Sequence, residues 1–340
     1  MSKLLLLCNG SPAQTTAKLF TALAERTRAD GHEPTLVLRA YPQGIMAKIR
    51  TLLTGEWATW RHLVNSSTLI VHTAMSLSLP SIVIAKITGK RVLGFVWDLY
   101  PESTRAAGNI SNPLALWLYA RTEFLGYLLA DHLVVPSHDY TAALPQRFRS
   151  KCIELPLWTS QDFATPKSHN HGDTLNLAFA GQINGLRGLT ASVARIIDGV
   201  QPSKTRLHVF SKDPTPPDLE KMVQHGGDLT VENHGFVDPK TLQAMLEDMD
   251  AGLVALDSRF TLPAYPSKIT TYISAGIPVI YTGPSMPALE VMLRSTGVGI
   301  SARDGVDLTQ IRQLKDSFSE AQARYTQQIS KSWDSFASLL

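Results

Sequence analysis

The chain has 340 residues, 44% of them apolar and 18% charged, enough to bury two cores of ordinary domain size. Its formal net charge of +3 is too small to argue for nucleic-acid binding, so any electropositive function must be local. The two cysteines, Cys8 and Cys152, lack the spacing of a metal site and form no disulfide framework; buried free thiols in a reducing compartment fit them best.

The start, Lys3 followed by four leucines and Cys8, is too short for the apolar core of a signal peptide, roughly 7–15 residues, and reads as a strand running into a turn at Asn9-Gly10. Further strand-length apolar runs follow at 35–40, 68–73, 91–97, 132–137 and 152–157, separated by stretches of helical spacing. Runs that are continuously apolar, rather than alternating, indicate parallel strands covered on both faces. The polar stretch 159–173 holds no apolar period and reads as a linker. The alternation then restarts, with runs at 175–181, 206–211, 229–235, 251–256, 278–283 and 298–302. Two tandem doubly wound α/β units with a cleft between them are therefore expected: an N-terminal domain over 1–158 and a C-terminal domain over 174–325. The last stretch, 326–340, belongs to a helix pattern long enough to return to the N-terminal domain. Nowhere do ~18 uncharged apolar residues follow one another, so no membrane-spanning helix is expected and the reading is cytoplasmic.

In open α/β sheets ligands sit beyond the carboxyl ends of the strands, so the loops there carry the candidate chemistry. After the run 251–256, Ser267 and Lys268 open a helix pattern. A lysine is mildly unfavourable at a helix start unless an anion is bound beside it; the competing reading makes Ser267 an ordinary N-cap and Lys268 a solvated side chain. After the run 175–181, the stretch "FAGQINGLRGL" supplies Gly181, Gly185 and Gly188, with Arg187 just before the next helix. Glycines let a backbone approach an oxyanion closely, and an arginine offers it a two-pronged donor. Two basic residues at one sheet edge favour a diphosphate between them. The dinucleotide fingerprint G-x-G-x-x-G is absent, which removes the main support for a dehydrogenase. In the first half, "FVWDLYPES" places Asp98 and Glu102 in the loop after a strand, where one carboxylate can take a proton from a hydroxyl. His72 and His138 stand at strand ends as further candidates, although a lone histidine is more often structural.

These motifs together resemble the GT-B nucleotide-sugar glycosyltransferases, particularly the GT4-like bacterial enzymes that build surface polysaccharides. "GQINGLRGL" is similar to their phosphate loop, "PSKITTYISAGIPVI" to their P-[SH]-K-x-x-x-Y-x-x-x-G-x-P-V signature, and "FVWDLYPES" to a D-[LI]-[WY]-P-E-S segment of amino-sugar transferases. The resemblance implies a GT-B fold of two Rossmann-like domains and a metal-independent transferase of hexosyl type. Its donor would be a nucleotide diphosphate sugar, a uridine diphosphate sugar being favoured, with no cofactor and no metal. Its acceptor would be lipid-linked or a saccharide, in polysaccharide biosynthesis. Arg187 and Lys268 would neutralise the donor diphosphate, backbone groups at Gly181 and Ser267 would assist, and His234, Gly235 and Phe236 would lie near the base. Thr271 stands where many members carry a ribose-binding Glu, and Pro263 where they carry a second Glu; Trp97 replaces a histidine that touches the sugar. Those departures keep two other readings open, a catalytically silent GT-B-like partner of an active transferase and a sugar-nucleotide epimerase.

The segment 41–64 mixes Met46, Ile49, Leu52, Leu53, Trp57 and Trp60 with Lys48, Arg50, Arg61 and His62. Such a mixture suits a bilayer interface with anionic head groups, or else a pair of core-facing helices with solvated charges. In the related enzymes this part of the acceptor domain meets the inner membrane, so peripheral membrane contact is expected.

Overall fold

The computed structural model describes residues 1–12, 14–40, 57–72, 74–106, 110, 112–159, 163–167, 174–183, 187–200, 204–225, 228–303 and 305–340. Among them the strands are β1 (Lys3–Asn9), β2 (Glu33–Arg39), β3 (Thr68–Val71), β4 (Arg91–Phe95), β5 (His132–Val135), β6 (Cys152–Glu154), β7 (Thr174–Ala180), β8 (Lys204–Phe210), β9 (Leu229–Asn233), β10 (Ala251–Ala255), β11 (Val279–Thr282) and β12 (Gly299–Ser301). Each starts within two residues of an apolar run read from the sequence. The runs overshoot β4 and β6 because burial continues past the last paired residue, through Val96 and Trp97 and through Leu155 and Leu157.

All pairings are parallel, in two six-stranded sheets ordered β2-β1-β3-β4-β5-β6 and β12-β11-β10-β7-β8-β9. Helices follow most strands, as a parallel connection requires. The chain divides into two compact units: Met1–Ser160 with Leu262–Tyr265 and Ile329–Leu340, and Gln161–Thr261 with Pro266–Gln328.

In the first unit Leu4, Leu5, Leu6, Leu7 and Cys8 of β1 are all fully buried, as a central strand covered on both faces demands. The end of the helix Phe318–Ala337 belongs to this unit: Trp333 donates its ring N–H to Asp30 at 2.8 Å, Arg26 lies 4.0 Å over the Trp333 ring, and Phe336 meets Phe95 edge-on at 5.6 Å. Of the polar stretch 159–173, the described residues 163–167 run along the second unit, where the Ala164 N–H donates to the Ser274 carbonyl at 2.7 Å.

The second sheet reverses its winding between β7 and β10, and that is where its strands part. Their register pairs Ala251 with Leu177 and Gly252 with Ala178. The next rung would join the Ala180 N–H to the Leu253 carbonyl. The hydroxyl of Tyr272, from the helix Lys268–Ser274, sits in that rung instead: it accepts from Ala180 N at 2.8 Å and donates to Leu253 O at 3.2 Å. The ring is fully buried and lies against Gly252, where an added Cβ would stand 2.2 Å from the ring carbon Cγ. Only glycine leaves room for the tyrosine there.

Tyr272→Phe keeps the ring and strands both backbone groups in a buried place. We expect it to cost about 1–3 kcal/mol of stability, read as a lower urea midpoint for the unfolding of the second unit. A midpoint equal to that of the wild type would contradict this role.

Candidate functional site

At the parting of β7 and β10 the loops of the second unit enclose a hollow of about 330 Å³. Gly181 and Gln182 come from the loop after β7, Phe210 and Lys212 from the end of β8, Gly235 and Phe236 from the turn after β9, and Lys268 from the helix after β10. Four successive strand ends thus contribute to one cavity, the place where a doubly wound sheet offers ligands its crevice.

The loops are tied to one another. Asp213 accepts from the Ile183 N–H at 2.6 Å, and its own N–H donates to the Ser211 hydroxyl at 3.1 Å, which joins the loop after β7 to the loop after β8. Gly181 has φ +152° and donates its N–H to Phe210 O at 3.1 Å. Gly188 combines φ +56° with a close approach, since an added Cβ would stand 3.0 Å from Asp257 Cα.

The residues expected from the sequence are placed as follows. Lys268 lines the hollow together with Gly181. Arg187 is half-buried at the turn before the helix Leu189–Val200. It is not among the described residues that line that hollow; Gly188 beside it lines a neighbouring one of about 540 Å³, and the two hollows share Asp213. Gly185 lies outside the described residues. Ser267 does not act as a side-chain cap: it is itself helical, at φ −60° and ψ −16°, and its carbonyl accepts from the Thr270 hydroxyl at 2.8 Å. The Ile269 N–H is already engaged by Pro266 O at 3.0 Å, so the first turn is tighter than an open α-helical end. Thr271 is half-buried and turns its hydroxyl to Ser267 O at 3.4 Å.

His234 stands behind the hollow. Its ring stacks on Phe210 at 4.9 Å and 17°, and its Nε2 lies 3.0 Å from Nδ1 of His208. Burial holds the His208 imidazole below its usual pKa, against the opposing pull of Glu232.

Lys212 was not foreseen. It lies 4.4 Å over the ring of Phe236, which is 70% exposed, so a second ammonium and an open aromatic face share the cavity with Lys268. The available signal was a basic residue directly after the apolar run 206–211, two residues past the end of β8, on the same kind of strand-end loop that carries Arg187 after β7.

On the first unit Asp98 and Glu102 are exposed carboxylates after β4, Glu102 opening the short helix Glu102–Ala106. Trp97 turns inward instead, packed edge-on against Phe20, His72, Phe95 and Trp158. His72 belongs to that cluster: burial pushes its pKa down to about 4, which makes it a neutral packing group. His138 is exposed and paired with Glu154 at 3.0 Å.

Of the segment 41–64, residues 41–56 lie outside the described residues. Trp57 is 65% exposed, its ring 6.4 Å from that of Trp60. The helix Pro113–Leu129 adds a stripe not foreseen, in which Leu114, Trp117, Leu118, Leu125 and Leu128 are exposed at helical spacing. Arg121 stands within it, 5.4 Å over the Trp117 ring. No helix among the described residues is long and apolar enough to cross a membrane.

No family model and no curated protein matches the chain. Solved structures do. A lipopolysaccharide outer core galactosyltransferase, WaaB, in its apo form superposes with a TM-score of 0.54 at 12% identity, covering 97% of this chain and 99% of that one. A putative UDP-N-acetylglucosamine 2-epimerase from Listeria monocytogenes follows at 0.53 and 13%, covering 96% and 91%. An alpha-glucosyltransferase (AGT) in complex with UDP gives 0.51 and 10%, covering 98% and 95%. The chain has the GT-B fold of two Rossmann-like domains, and at these identities the likeness is one of fold alone.

Proposed function

We propose that the protein is a glycosyltransferase that takes its sugar from a nucleotide diphosphate sugar. The observation that carries this reading is the hollow beyond β7 and β10, with Lys268 and Lys212 on its wall and the open face of Phe236 beside them. Two ammonium groups suit a diphosphate, and an exposed aromatic face suits a nucleobase.

In the reaction the bond between the anomeric carbon and the diphosphate oxygen breaks while an acceptor oxygen bonds to that carbon. Negative charge grows on the leaving diphosphate, where Lys268 and Lys212 stabilise it. Arg187 is assigned to the same anion through the motif it belongs to. The role of taking the acceptor proton is assigned to Asp98 or Glu102, exposed carboxylates of the segment after β4, through the motif they belong to. A uridine diphosphate sugar is the favoured donor, and a lipid-linked or saccharide acceptor in polysaccharide assembly the favoured partner.

A second reading, a sugar-nucleotide epimerase, is favoured by the fold shared with the putative 2-epimerase. A third, a silent partner of an active transferase, rests on Thr271 and Pro263 standing where acids are common in the resembled family. Incubating the purified chain with uridine, guanosine and thymidine diphosphate sugars separates the three. Transfer to an acceptor, with nucleoside diphosphate released, supports the first; an altered sugar nucleotide formed without acceptor supports the second; no turnover of any donor supports the third. For the transferase, Lys268→Ala is expected to lower kcat roughly a hundredfold, the scale of losing one preorganised charge donor.

We also assign the stripe on Pro113–Leu129, with Trp57, to contact with an anionic membrane surface, since apolar and aromatic side chains flank Arg121 there. Sedimentation with vesicles containing anionic lipid is expected to pull down the wild-type chain and to leave a Trp117→Ser/Leu118→Ser variant in solution. Equal sedimentation of the two would remove the assignment.

A further inference from the structure

Next to Phe210, which His234 stacks on, three side chains bring ligand atoms together. His208 on β8 and Glu232 on β9 are partners in register, and His234 follows Glu232 by two residues. With a strand period of two, all three fall on one face of the sheet. His208 Nδ1 is 3.0 Å from His234 Nε2, and Glu232 Oε2 is 3.6 Å from the first and 4.0 Å from the second. Two imidazole nitrogens that face each other this closely share either a proton, one ring donating its N–H to the other, or a metal ion.

The three separations decide what ion would fit. A circle through atoms spaced in this way has a radius of about 2.1 Å, which is the length of a zinc–nitrogen or zinc–oxygen bond. One ion at its centre reaches all three atoms. That point lies to the side of the line between the nitrogens, so binding turns each ring about its Cβ–Cγ bond as the ion replaces the shared proton. The donor set of two imidazoles and one carboxylate suits zinc and its neighbours rather than magnesium or calcium. The remaining carboxylate oxygen, Glu232 Oε1, is held by Arg206 Nε at 3.5 Å, an outer contact that orients the ligand. The His208 side chain is only 10% exposed and that of Glu232 48%, so the inner ligand is anchored while the outer one leaves an entry path from solvent.

We propose that His208, Glu232 and His234 form a binding site for one divalent transition-metal ion of the zinc class. The ion would lock β8 to β9 and fix the His234 ring, which backs Phe210 and precedes Gly235, two walls of the hollow. Its role is to brace the cavity from behind. The site rests on these side chains alone and stands whether or not the hollow binds a nucleotide sugar.

The test uses the full chain without a purification tag, stripped by chelator and titrated with Zn²⁺ and with Co²⁺. We expect one ion per chain at micromolar affinity or tighter, a visible Co²⁺ absorption band of four- or five-coordinate character, and a higher melting temperature in zinc. The His208→Gln/His234→Gln variant is expected to lose the band and bind at least about tenfold more weakly. Glu232→Gln, a change on an exposed strand edge, guards against a folding defect in the double variant and is expected to weaken binding in the same direction. Binding far below one ion per chain, or an unchanged affinity and spectrum in Glu232→Gln, would overturn the site.

Discussion

One hydroxyl group, that of Tyr272, occupies the rung where β7 and β10 would otherwise close on each other. A parallel sheet gains a hydrogen bond for every rung it completes, so strands part only where something else satisfies the freed groups. Tyr272 supplies both partners from within a buried ring, and Gly252 makes the space for it. The consequence is local and functional. The loop carrying Gly181 and the helix that starts at Lys268 are held apart at a set distance, one on the strand that Tyr272 accepts from, the other on the same helix as Tyr272 itself. A hollow remains between them because the sheet cannot zip further.

The two sheets differ at the point where their winding reverses. In the first, the winding reverses between β1 and β3, and that position is filled. Asn9, at the end of β1, donates to the Ser78 hydroxyl at 3.0 Å, and His72, directly after β3, is packed among Phe20 and Trp97. The turn that follows is pinned by Glu123, whose carboxylate accepts the N–H groups of Met75 and Ser76 at 3.2 and 2.9 Å, beside Ala74 at φ +64°. Burial raises the pKa of that carboxyl even as the two N–H groups oppose the rise. On the second sheet the equivalent reversal is open and lined by ammonium groups.

Much of this was legible from residue patterns because it depends on short range. A run read from the sequence marked every described strand, most clearly in the central strands such as β1, β3 and β10, which are covered on both faces and have no polar alternate positions to confuse them, and least clearly in the edge strand β9, whose LTVEN is mostly exposed. Lys268 and Gly181 could be set at one sheet edge by counting strands. What escaped needed register or a third dimension. His208, Glu232 and His234 meet only because β8 and β9 pair with His208 opposite Glu232, which no spacing within either strand states. The stripe from Leu114 to Leu128 drew no reading from the sequence, because apolar residues recur all round that helix and nothing in their spacing states which of them stay exposed. Ser267 looked like a cap by its residue type, and the tightened first turn at Pro266 and Ile269 left it helical. Among the described residues Lys212, which the sequence had not marked, lines the hollow with Lys268, and Arg187 lies at the turn beside the neighbouring hollow.

Recognition of a diphosphate joined to a base by this hollow, as proposed, is tested most directly by calorimetric titration of UDP, GDP and dTDP, each beside its bare nucleoside. At least one diphosphate should bind far more tightly than its nucleoside, with the gap shrinking when Lys212 and Lys268 are both replaced by alanine. If every nucleotide binds no better than its nucleoside, or the gap survives the loss of both lysines, the cavity is not the donor site.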